Sequence, residues 1–275
     1  MTMTSPSSEQ EGSVDYTADH YAKTASFVFS EEFTAPIISW LNASPGDRII
    51  DLGCGSGELT VKIQDAVGAD GFVLGVDYNE DMISKASTNG VRNTFICDVQ
   101  DFWLPPGISQ EKSFDSAFSN AALHWCKRNP AGVLEGLKRV LKKGGRFVCE
   151  MGGYTNCIGV RICLYHAVRK RGFDPEAMDP WYFPTIEEYQ TLLQTAGFRV
   201  ESISLVPRLT PLNDGGLRAW LQLFARGTFL KGFNDVDAET IIEEVVQMCE
   251  IDYKDQSGNW SLMYVRLRFA ATLVS

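Results

Sequence analysis

Histidine is scarce in this chain and basic residues are outnumbered. There are 3 His in 275 residues, and 25 Lys+Arg face 35 Asp+Glu, for a net charge of −10. That balance argues against a general nucleic-acid binder, which needs a basic face to release counterions from phosphates. It leaves room for a local basic pocket. No apolar run approaches the ~20 residues of a membrane-crossing helix. The opening MTMTSPSSEQEGSV lacks the basic and apolar stretches of a secretory leader, and 1–14 reads as a disordered tail. No C-x-x-C pair occurs among Cys54, Cys97, Cys126, Cys149, Cys157, Cys163 and Cys249, and their number is odd. They read as reduced thiols of a cytoplasmic protein, mostly small core residues. No tight Asp/Glu/His cluster points to a metal, no repeat is present, and nothing fixes an oligomeric state.

What is present is an ordinary globular composition, 44% hydrophobic and 22% charged. Short apolar runs alternate with amphipathic stretches. RIIDL, GFVLGVD, NTFICDV, SFDSAFSNAAL and GRFVCEM read as strands, separated by helices over about 58–67, 80–87 and 130–141. That rhythm predicts a parallel sheet with helices on both faces, doubly wound, with ligands at the carboxyl ends of the strands. The expected division is 15–44 as an N-terminal helical lid and 45–153 as the cofactor-binding core. Residues 154–185 and 210–250 are expected as substrate-side helical insertions, and 186–209 and 251–275 as completion of the sheet. Within these, 186–195 carries a capping-box signal at Thr185 and Glu188. The stretch from about 215 to 250 reads as helical.

Glycines 53, 55 and 57 follow the first strand and open a helix. The dinucleotide fingerprint G-x-G-x-x-G fails, because its last position falls on Glu58 or Thr60. A tight strand–helix turn is the plain alternative. Charge discriminates further. Asp51 ends the strand and Glu58 begins the helix, so a pyrophosphate would meet two carboxylates where it needs N–H donors. A cationic ligand without phosphate suits the place better, and S-adenosylmethionine is one. Asp77 and Asp98 close the next two strands. A carboxylate at Asp77 can accept from ribose hydroxyls; as a helix cap it would need no ligand. Asp98 can accept from an adenine amino group while the Val99 N–H donates to the ring.

The order DLGCGSG, GVDYNEDMISKA, ICDVQDF, FDSAFSNAALHW and LKKGGRFVCEM resembles class I S-adenosylmethionine-dependent methyltransferases over residues 45–151. SNAALHW and YAKTASFVF more narrowly resemble the trans-aconitate methyltransferase group of small-molecule enzymes. The resemblance implies a Rossmann-like sheet of seven strands whose last is antiparallel, a part SLMYVRLRFAATL can fill. It places Gly53, Gly55 and Gly57 against the cofactor's amino-acid end, with Tyr78 and Met82 beside the adenosine. Asn120 and Ala121 would line the methionine side. Tyr21 would lie over the cofactor as a lid, or simply pack on the sheet edge.

Methyl transfer is an in-line displacement that leans on alignment and electrostatics. A base matters only when the nucleophile arrives protonated. His20 and His166 have no motif context. His124 could be a catalytic base, could orient substrate, or could hold its own loop. Trp125 is a pocket wall or a core residue. Arg161 is the candidate carboxylate clamp among arginines that otherwise suit a solvated helix face. Trp181, Tyr182 and Phe183, in PWYFP, form either a substrate lid or an anchor. D-P-P-Y and N-P-P-Y are absent. O-methylation of an organic-acid carboxylate is the first expectation. Methylation of O, N or C on a hydrophobic natural product takes its place if the pocket is aromatic and Arg161 points away. A non-catalytic cofactor-binding module is the reading from another class.

Overall fold

The computed structural model describes residues 24, 26–104, 108 and 113–274. Seven strands form one sheet in the order β3-β2-β1-β4-β5-β7-β6. β1 (Arg48–Leu52) is buried almost throughout, as a central parallel strand must be. It pairs in parallel with β2 (Phe72–Asp77) on one side and β4 (Phe114–Asn120) on the other. β3 (Thr94–Ile96) extends the sheet beyond β2, and β5 (Leu141–Gly152) beyond β4, both parallel. β7 (Ser261–Leu273) then inserts antiparallel between β5 and β6 (Phe198–Pro211). The seven-stranded, doubly wound expectation and the antiparallel last strand both hold.

Helices cover both faces. α1 (Glu31–Leu41) and α2 (Glu58–Val67) bury Ile37, Leu41, Leu59 and Ile63 against Ile49, Val73 and Phe118. α3 (Glu80–Thr88) starts at Asn79, whose side chain accepts from the Met82 N–H. On the opposite face α4 (Pro130–Val140) sets Val133, Leu134 and Leu137 on Ile50, Phe114 and Phe147. These spacings of three and four are one helix face. A third cluster joins α5 (Ile158–Arg169) with α8 (Gly216–Leu221) and α9 (Asp235–Tyr253), around Trp181, Trp220 and Phe229. The stretches 154–185 and 210–250 share this cap. Between α5 and β6 lie the one-turn α6 (Pro175–Met178) and α7 (Ile186–Thr195).

Two expectations shift. β6 runs to Pro211, beyond the RVESISLV segment, because β7 pairs with it along its whole length. The helical region after residue 215 is interrupted by a π-helical turn at Gln222–Arg226 and an irregular stretch before α9. The tail 1–14 lies outside the described residues. Among those described, no helix is long and apolar enough to cross a membrane.

Candidate active site

The loop after β1 turns because three glycines take left-handed backbone angles. Gly53 has φ +70, and its N–H and that of Cys54 both donate to the Val76 carbonyl of β2. A Cβ at Gly53 would sit 2.2 Å from the Ala122 Cβ, so the loop and the segment after β4 meet there with no room for a side chain. Gly55 has φ +55, its N–H donates to Asp77 Oδ2 at 3.0 Å, and a Cβ there would project into open space. Gly57 caps α2 and packs on Val91 and Ala86; it shapes the turn without lining the cavity.

That open space is a cavity of about 330 Å³ at the carboxyl ends of β1, β2, β3 and β4. The size lies at the lower end of the ~300–1,000 Å³ range of small-molecule sites. Asp51, Gly53, Gly55, Asp77, Tyr78, Met82, Asp98, Val99, Asn120 and Ala121 all line it. Tyr78 is exposed at the rim, Met82 and Val99 are buried, and Asn120 Nδ2 donates to the Val28 carbonyl. Ala121 takes an unusual φ of +57 for a residue with a side chain. Val28 and Phe29 close one side. Tyr21 lies outside the described residues.

The three acids are not equivalent. Asp51 is fully buried, and Thr60 Oγ1 donates to its Oδ2 at 2.6 Å. Burial raises its carboxyl pKa to about 7, against the pull of Thr60 and with a push from Asp77. Asp77 is raised too, chiefly by burial, although the N–H groups of Asn79 and Gly55 donate to it. Asp98 is half exposed; it accepts from the Gln100 N–H and pairs with Arg128 at 2.9 Å. Two buried carboxyls held toward neutrality favour a neighbouring cation, which would stabilise their charged forms. Those groups, the wide-open Gly55 and the three strand-end acids fit an adenosyl sulfonium. Glu58 stands behind the loop, and its charge still reaches the Cys54 thiol on the cavity wall. Both its oxygens accept from Ser56 Oγ at 2.8 Å, and it does not line the cavity.

A second, smaller cavity of about 40 Å³ adjoins the first and shares Val28, Ala121 and Trp125 with it. His124, Trp125, Trp181, Phe183, Trp220 and Phe224 give it aromatic walls, and Asn156, Tyr264 and Arg266 add polar atoms. The Gly152 N–H donates to His124 Nδ1 at 3.3 Å. Nδ1 is therefore the unprotonated nitrogen, and the neutral ring carries its proton on Nε2. Burial, reinforced by Arg266, holds the His124 pKa well below its usual value. Trp220 Nε1 donates to the Tyr264 hydroxyl at 2.6 Å. Burial pushes the Cys157 thiol up to about 12.

Two expected substrate residues are elsewhere. Arg161 lines neither cavity; its Nε and an Nη atom both lie 2.6 Å from Asp179 Oδ2, whose side chain is fully buried. Tyr182 packs on Tyr189 in the main core, and its N–H donates to the His124 carbonyl. Its neighbours Trp181 and Phe183, stacked at 10°, face the cavity instead. Sequence reasoning missed Asn156, Tyr264 and Arg266, and the thiols Cys54, Cys97 and Cys126 on the first cavity's wall. One signal was available: Tyr264, Arg266 and Arg268 alternate on a single face of an otherwise apolar strand.

The family model for the methyltransferase domain matches residues 43–197. An uncharacterized methyltransferase of Schizosaccharomyces pombe is 36% identical, over 93% of this chain and 97% of its own length. A demethylmenaquinone methyltransferase of Symbiobacterium thermophilum is 34% identical over 43% of this chain and 48% of its own. Among solved structures, the YcgJ protein of Bacillus subtilis superposes with a TM-score of 0.60 at 17% identity, covering 90% of this chain and 100% of that one. That likeness concerns the fold.

Proposed function

From the premise that this chain belongs to the methyltransferase-domain family and is an S-adenosylmethionine-dependent methyltransferase, we propose that it O-methylates a carboxylate of a small organic acid. The cofactor, when bound, supplies an electrophilic methyl group and departs as a neutral thioether. The chain's own residues hold and align it. In this reading Asp77 accepts from the ribose hydroxyls, and Asp98 and the Val99 N–H read the adenine. Tyr78 and Met82 flank the adenosine. Asp51, Gly53 and Gly55 face the amino-acid end, with Gly57 setting the turn, and Asn120 and Ala121 line the methionine side. Of the 15–44 lid, Val28 and Phe29 stand at the cofactor cavity while 15–23 lie outside the described residues, and the cap stretches 154–185 and 210–250 close over substrate. Seven free thiols favour a cytoplasmic setting.

One observation carries the substrate class: among the described residues, the second cavity holds no base. His124 spends its only lone pair on the Gly152 N–H and can offer just an Nε2 proton. Cys157 remains a thiol near neutral pH. The Tyr264 hydroxyl accepts from Trp220 Nε1, and Asn156 Oδ1 accepts from the Val265 N–H. A nucleophile must then arrive already deprotonated, which a carboxylate does. His124 acts as a donor that orients it, with Trp125 and Trp181 as walls.

The reading with a hydrophobic acceptor has real support, since the walls are aromatic and Arg161 points away. Against it stand the small volume and the guanidinium of Arg266 on the same wall. The trans-aconitate resemblance belongs with the acid reading. The test is to offer methyl-labelled cofactor with pools of organic acids, phenols and amines. An ester product releases labelled methanol in alkali. Label that survives alkali on an ether, amine or carbon overturns the proposal.

A further inference from the structure

Behind the second cavity lies a buried surplus of positive charge. Glu150 of β5 is the single carboxylate among three guanidiniums. Arg266 Nε donates to its Oε1 at 3.2 Å, and Arg268 pairs with its Oε2. Arg208 Nη1 lies 3.6 Å from Oε1, beyond hydrogen-bond reach, and has no hydrogen-bond partner. The side chains of Arg266, Arg208 and Arg268 are only 5%, 10% and 12% exposed. Arg208 also stacks on Phe33 at 3.8 Å, which shields it further from water.

Buried charges are ordinarily matched, because an unpaired one keeps its desolvation cost. Here two positive charges remain unmatched among the described residues. Burial, and then Arg266, lowers the Arg208 pKa to about 10, a sign of the same crowding. Arg266 is the member that reaches the wall of the second cavity, and it does not line the first.

We propose that Arg266, backed by Arg208, is an anion receptor that anchors a compact negatively charged group of the substrate. A guanidinium forked onto an oxyanion draws off its electron density, so the anchored group is distinct from the oxygen that is methylated. The substrate therefore carries at least two anionic groups, or one beside its methyl acceptor. This rests on the second cavity being the acceptor site, as in the function proposed above.

The test is binding by the full chain, with S-adenosylhomocysteine present, followed by the fluorescence of Trp125, Trp181 and Trp220 and by thermal shift. The probes are propane-1,2,3-tricarboxylate, its uncharged trimethyl ester and inorganic phosphate. The tricarboxylate should bind and raise the midpoint, and its ester should not. Arg266→Met should weaken the tricarboxylate at least tenfold, Arg266→Lys should recover part of the loss, and S-adenosylhomocysteine affinity should stay unchanged in both. Phosphate binding in place of the tricarboxylate would assign the anchor to a phosphorylated substrate. Equal binding of acid and ester, no binding of either anion, or binding indifferent to Arg266→Met overturns the proposal. Should Arg266→Met lose S-adenosylhomocysteine binding, the acid–ester comparison in the wild-type chain decides alone. Base-stable methylation of an anionic acceptor would sink the ester-forming function and leave this anchor standing.

Discussion

Asp51 is the residue where stability and function oppose each other. Its folded pKa of about 7 exceeds the ordinary carboxylate value, so the fold prefers it neutral. Its contribution to stability is full at low pH and is lost as pH rises through about 7. Asp51→Asn removes that dependence while an amide oxygen can still accept from Thr60. At pH 8 the ligand-free variant should be more stable by roughly 2–4 kcal/mol, with little difference near pH 4. Its affinity for S-adenosylmethionine should fall about tenfold, or ~1.4 kcal/mol. Denaturation at the two pH values and calorimetry check both parts. Gly53→Ala meets Ala122 and a positive φ together. It should cost ~2–4 kcal/mol in chemical denaturation, through overpacking and backbone strain. A loss below ~0.5 kcal/mol would mean that the two loops separate freely.

Elements differ in how much local sequence specifies them. α7 is fixed by its own residues: Thr185 accepts from the Glu188 N–H at 3.2 Å, and Glu188 accepts from the Thr185 N–H at 2.8 Å. Thr185→Ala should destabilise the protein by ~0.5–2 kcal/mol in thermal or urea unfolding, and Thr185→Ser should restore most of it. β1 to β5 were legible for a similar reason, each being a short apolar run between turn signals. Asp51, Asp77 and Asp98 were legible because a strand end is visible in one dimension. Arg161 was misplaced because periodicity gives a helix its faces but not their partners; Asp179, held in the cap, decides that. Arg266 stayed hidden because its meaning depends on β7 lying beside β5. Its partner Glu150 is 116 residues away in sequence.

On the scale of the whole molecule, net charge −10 sets the long-range field, and three carboxyl groups, Asp51, Asp77 and Asp98, line the cofactor cavity. S-adenosylmethionine carries one net positive charge near neutral pH, and its demethylated product carries none. Steering by the field should thus favour the donor. Raising salt from ~10 to ~150 mM shortens the screening length from ~30 to ~8 Å. Stopped-flow measurements should show donor association slowing severalfold and product association hardly changing. Equal salt dependence for the two would place the acidic groups outside the path of entry.

The position of β7 has a consequence during synthesis. β6 ends at Pro211, and its sole sheet neighbour among the described residues begins at Ser261. At ~5–20 residues per second, a nascent chain carries β6 as an orphan for several seconds while the cap helices emerge. A 14-residue hydrogen-bonding ribbon then waits with nothing to zip onto, and Arg208 waits for β7 to seat it near Glu150, which is already made. Slow translation across that interval would lengthen the window in which ribosome-bound chains can stick to one another.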